Sequence, residues 1–183
     1  MVIKGWQTEV LRFWFEELTR EDWFSSKKTT DDAIRNRFSK LHESLRSAIP
    51  SEAFLKPEAA LAAVIVFDQF SRNMFRGTAG AFTCDRLALA VAANALASGF
   101  DRQLADQQKH FLYMPFMHSE ALADQHRCVS LFEALGGDSV KYAIEHRDII
   151  ERFGRFPHRN RALGRKTTEQ ERIFLDDHKG FGQ

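Results

Sequence analysis

The sequence predicts an all-α protein, a helical bundle of about six to eight helices joined by short turns. Three observations carry that expectation. Apolar residues recur at spacings of three and four almost from end to end. Capping residues and glycines bracket those runs where helices should start and stop. No linker is long enough to divide the chain. With 183 residues, one domain over 1–183 is expected, large enough to bury roughly 70% of its unfolded surface.

The elements follow in order. Val10, Trp14 and Leu18 share a stripe that Leu11 and Phe15 widen. Ile34, Phe38, Leu41, Leu45 and Ile49 form the clearest amphipathic run, with Arg35, Arg37, Glu43 and Arg46 on other faces. Thr30 or Asp31 is its expected cap, and Pro50 lies just past its end. Pro57 suits a first helical position, and Leu61, Val64 and Ile65 continue from it. Val64-Ile65-Val66 is strand-like alone, but alanine-rich flanks and the lack of alternation favour helix. Gly77 is the expected C-terminal cap. Thr83 is the expected N-cap of the next helix, with Phe82 and Leu87 as a hydrophobic staple. Asp85 then lies in the first turn, where the helix dipole favours an acid. The alanines between Ala88 and Ala97 should admit a close neighbour, and Gly99 ends that helix.

Pro115 removes a donor, so a kink or break is expected within 104–118. A helix from Ser119 to Leu135 should close at Gly136-Gly137, and Asp138 should cap one reaching about Arg152. Thr168 with Glu171 fits a capping box for a last short helix. The chain past Asp177, residues 177–183, should fray.

Composition narrows the function. Basic and acidic side chains number 26 and 25, for a net charge of +1. That balance argues against a nucleic-acid partner, which needs a basic excess. The two cysteines, Cys84 and Cys128, sit in helical stretches and form no framework, so free thiols in a reducing compartment are expected. Ala59 to Phe67, the longest apolar run, is too short for a membrane span. Glu9, Glu16 and Glu17 interrupt any signal-peptide pattern, and a cytoplasmic protein is expected. The 17 Phe residues promise a ring-dense core.

Four strings occur in order: 10–15 (VLRFWF), 67–77 (FDQFSRNMFRG), 111–120 (FLYMPFMHSE) and 152–165 (RFGRFPHRNRALGR). Their order and spacing resemble the bacterial "domain of unknown function 924" family over roughly residues 8 to 176. The resemblance implies an all-helical fold similar to tetratricopeptide-repeat superhelices, and it implies no activity.

Chemistry is therefore read from the residues. Asp68 lies on the stripe of Leu61, Val64 and Ile65, with Arg72 one turn on and Arg76 a turn beyond. The pair either closes a helix end as an ion pair or aims Arg72 at a ligand. His118 and Glu120 follow the proline, beside the positive end of the helix that Ser119 should cap. Either could serve as an acid or base. In that helix Gln125 or His126 must face inward, and His126 is expected as a hydrogen-bonded core residue. From Arg152 to Lys166 five arginines, a lysine and His158 come without an acid, interleaved with Phe153, Phe156 and Leu163. With the rings as anchors, Arg155, His158, Arg159 and Arg161 would point in fixed directions toward a carboxylate or phosphate. The alternative is that these arginines pair with Glu145, Asp148 and Glu151 and only fasten the C-terminal helices.

His110, His118 and His126 recur every eight residues and so lie on different helix faces, which is poor metal spacing; no metal or cofactor is expected. The expected partner is a small anionic ligand held by Asp68, Arg72, His118, Glu120, Arg155, His158, Arg159 and Arg161. The alternative partner is an acidic peptide lying in a groove.

Overall fold

Pro57 opens the segment around which the rest of the chain packs. The structure, a computed structural model, describes residues 5–178. Its central rod is α4 (Pro57–Val64), a π-helical stretch (Ile65–Phe70) and α5 (Ser71–Met74) in unbroken succession. Every residue from Ala59 to Met74 is buried, including Asp68, Gln69, Ser71, Arg72 and Asn73. A helix apolar on all faces belongs inside a protein, which is why the alanine-flanked Val64-Ile65-Val66 run is helix and not edge strand.

Four helices surround the rod. They are α1 (Trp6–Arg12, continued by a π-helical turn Phe13–Glu17), α3 (Lys28–Ser47), α6 (Asp85–Ala97) and α7 (Asp106–Met117). In α3, Ile34, Phe38 and Leu45 are buried as the stripe requires. In α6, Ala88, Ala92 and Ala95 are buried, and this small-residue face packs on α4. Beyond α7 the chain continues as α8 (Leu122–Leu135) on α7, then α9 (Ser139–Phe153) on α8. A 3-10 turn, Pro157–Arg159, and α10 (Glu169–Asp177) follow. Phe156 is fully buried against Ile149 and Ile150, with Phe153 and Phe174 packed alongside.

Among the described residues there is no strand, and nine helices are present when the rod counts as one. The helix that sequence reading misses is α2 (Arg20–Phe24), whose capping box pairs Thr19 with Asp22 where a Glu is usual. The capping box at Thr168 and Glu171 forms as expected.

Several local expectations are corrected. Helix α3 begins before Thr30 and Asp31, so neither caps it; both are buried, and Asp31 accepts from Asn73 Nδ2 (2.7 Å) and Arg76 Nε (2.9 Å). Arg76 therefore leaves the Asp68–Arg72 line, because the rod ends at Met74. Thr83 donates to the Gly80 carbonyl and Cys84 takes the N-cap position of α6. Helix α7 runs through Pro115 to Met117, close enough to its end that the missing N–H removes one hydrogen bond and no further turn depends on it. Gln125 Nε2 closes this end, donating to Phe116 O (3.3 Å) and Met117 O (2.8 Å) of α7 and to Ser119 O (2.6 Å) just beyond it. Ser119 lies in the preceding turn, donating to Asp124, and Ala121 is the N-cap of α8. Gln125 is the inward residue, on the face of the buried Cys128 and Phe132; the His126 side chain is 56% exposed. Fraying past Asp177 concerns a tail that, from residue 179, lies outside the described residues.

Candidate functional site

The π-helical stretch of the rod carries Asp68, which is fully buried. Three side chains meet its carboxylate. His118 Nδ1 lies 2.7 Å from Oδ1, Arg72 Nη1 lies 3.1 Å from the same oxygen, and Gln69 Nε2 donates to Oδ2. Arg72 also donates to the Asp68 carbonyl (2.9 Å) and forks onto Asp85 at 2.9 and 3.2 Å. The intended i, i+4 pair thus forms, and a second carboxylate from the first turn of α6 completes it.

The C-terminal segment reaches this cluster through Arg159. Its Nη1 donates to Asp85 Oδ2 at 3.4 Å, and its guanidinium carbon lies 4.5 Å from the Phe156 ring centre and 4.7 Å from that of Phe82. Arg159 is 5% exposed, yet its Nε has no hydrogen-bond partner among the described residues. The Nε of Arg72 is in the same position. Phe156 is the hub of a ring cluster: His146 lies 5.5 Å from it and His158 5.4 Å, while His118 lies 6.4 Å from His146.

Electrostatics follow from these neighbours. Burial works against ionised Asp68, but Arg72 and then His118 outweigh it and hold the carboxyl well below the usual range. Burial and the Arg72 charge lower the His118 pKa despite Asp68. Burial, then Arg72, lowers Arg159 to about 10, since one long contact to Asp85 does not offset lost hydration. Burial, reinforced by His118 for His146 and by Arg159 for His158, brings both imidazoles down to about 3.

The sequence-predicted set therefore divides. Asp68, Arg72, His118 and Arg159 come together, with His158 beside them across Phe156. Glu120 is committed elsewhere: it accepts from the Phe156 N–H (2.8 Å) and from both Nη atoms of Arg165 (2.8 and 3.0 Å). Arg155 forks onto Glu171 (2.6 and 2.9 Å), and Arg161 is exposed. The acids that fasten the arginine segment are thus Glu120, Glu171 and Asp85, not Glu145, Asp148 and Glu151. Sequence reading took Asp85 only as a dipole acid and overlooked His146. The signal for His146 was present, because Ala143, His146 and Ile150 recur at three and four and all are buried. Among the described residues no group of three or more His, Cys, Asp or Glu side chains is placed to hold a metal ion. No described helix is long and apolar enough to cross a membrane.

The profile of a bacterial protein family of unknown function, DUF924, matches residues 10–179. The chain belongs to that family. The solved structure of the protein of unknown function ATU0120 from Agrobacterium tumefaciens is 37% identical and superposes with a TM-score of 0.90. The match covers 94% of this chain and 97% of that one. None of the curated proteins matches this DUF924 member.

Proposed function

We propose that this protein binds a small anion, phosphate- or carboxylate-bearing, at Arg159, with Arg72 and His118 beside it. One observation carries the reading: Arg159 is buried with a single long ion contact, and its Nε is unmatched. A buried guanidinium held by one 3.4 Å carboxylate contact and two aromatic faces, with its Nε unmatched, is expensive to keep for packing alone. An arriving oxyanion would supply the missing acceptors bidentately. The burial of Arg72 and Arg159 favours a small ligand over an acidic peptide, whose arginines would line an open groove of a tetratricopeptide-like superhelix. Cytoplasmic residence belongs to the same reading, supported by two buried free thiols, Cys84 and Cys128.

The Asp68–His118 contact adds a role in proton transfer. With Nδ1 engaged by a carboxylate, Nε2 is the nitrogen left to face a ligand, the arrangement a general acid or base uses. The test of binding is a thermal-shift panel of phosphorylated and carboxylated metabolites on wild type and Arg159→Met. A ligand at a hundred times its Kd stabilises by about 2.7 kcal/mol. Wild type should gain several degrees with at least one anion, and Arg159→Met should gain none. No response from wild type to any anion refutes the reading.

A further inference from the structure

Resting on that reading, we infer that the site takes a doubly charged tetrahedral oxyanion of the phosphate-monoester kind, and takes it up together with one proton on His118. The first argument is donor geometry. Two guanidinium Nε groups, on Arg72 in the rod and Arg159 in the C-terminal segment, have no partner. Arg72 and His118 share Asp68, and Arg72 and Arg159 share Asp85, so three donor-bearing side chains from separate parts of the chain are linked through two carboxylates. A planar carboxylate offers two oxygens, whereas a phosphoryl group offers three or more in different directions.

The second argument is charge balance. Arg72 and Arg159 are matched by Asp68 and Asp85, so with neutral imidazoles the buried shell is already balanced. A dianion entering it leaves two unmatched negative charges in a place of low polarity. The groups able to respond are imidazoles, and His118 has a carboxylate on its ring. The charged or titratable groups facing His118 are Asp68 and Arg72 from the rod, His110 from α7, His146 from α9, and His158 and Arg159 from the C-terminal segment. Asp68 favours the imidazolium, while Arg72 and Arg159 oppose it. An oxyanion seated between Arg159 and Arg72 screens that repulsion and accepts from the new Nε2–H. The proton comes from solvent, and Nδ1–H stays with Asp68. Binding must then tighten as pH falls, by up to tenfold per pH unit when one proton is taken up.

Sulfate separates the protein's titration from the ligand's, because its charge is fixed over the range used. Its affinity would be measured by calorimetry between pH 6 and 8 at constant ionic strength, with acetate as the carboxylate arm. Expected are sulfate binding that weakens about tenfold per pH unit, acetate at least tenfold weaker, and a flat sulfate profile for His118→Asn, which keeps an N–H toward Asp68. Should that variant not fold, heats of wild-type binding in buffers of different ionisation enthalpy should count one proton. A flat wild-type profile, no proton uptake, or equal affinity for acetate overturns the inference while leaving an anion site. No sulfate or acetate binding that Arg159→Met abolishes overturns the proposed function with it.

Discussion

Replacing Arg159 by Met should stabilise the protein. At neutral pH this guanidinium is charged in both folded and unfolded chains, but its folded pKa falls from the usual 12.5 to about 10, first through burial and then through Arg72. At ~1.4 kcal/mol per pH unit, the charged form is disfavoured by about 3 kcal/mol in the folded state. That penalty is complete at any pH below ~10 and fades only as the pH rises toward 12.5. Met removes it and fills similar space. The loss is the contact with Phe82 and Phe156, on the order of 1–2 kcal/mol. Asp85 is not orphaned, since Arg72 holds both its oxygens. The net gain of about 1–2 kcal/mol corresponds to a Tm rise of roughly 2–8 °C for a chain of this size. Calorimetry at pH 7.5 in a buffer free of sulfate and phosphate measures it directly. A fall of several degrees would mean that Arg159 is a keystone of the C-terminal packing, and the argument from its missing partners would fail.

Other substitutions and conditions probe the surroundings. Burial brings His42 and His110 to about 4 and His146 and His158 to about 3, so the folded chain stays neutral where the unfolded chain protonates below ~6.5. Stability should therefore fall with pH between roughly 6 and 4, by up to ~5 kcal/mol per pH unit; urea unfolding midpoints unchanged from pH 7 to 4.5 would contradict this. Glu120→Ala removes the carboxylate partner of Arg165 and the acceptor of the Phe156 N–H, which should cost about 2–3 kcal/mol and show as a lower Tm. Thr168→Ala removes the cap of α10 and should cost ~1 kcal/mol, read by the same melt.

Local chemistry was legible in the sequence, and long-range pairing was not. The stripe of α3, the Thr168 capping box and the Asp68–Arg72 spacing depend on neighbours within one turn, so their residues specify them. The partners of Arg155, Arg159 and Arg165 lie 16, 74 and 45 residues away, a distance over which periodicity says nothing. Proline misled for a related reason, since its effect depends on where the helix ends, and Gln125 from the next helix secures that end. His126 and Gln125 were adjacent choices on one helix. The face of Cys128 and Phe132, both fully buried, decides for Gln125.

A rod enclosed on every side has a kinetic consequence. Amides between Ala59 and Met74 can exchange with solvent only when the surrounding helices part, so they should be among the slowest in the molecule. Asp68 and Arg72 thus belong to scaffolding that scarcely opens. Arg159, by contrast, sits on an irregular strap tied down by Glu120 and Glu171. Exchange of an anion held at Arg159, as proposed, would then run at the tempo of that strap, and loosening either tie should quicken it without disturbing the rod beneath.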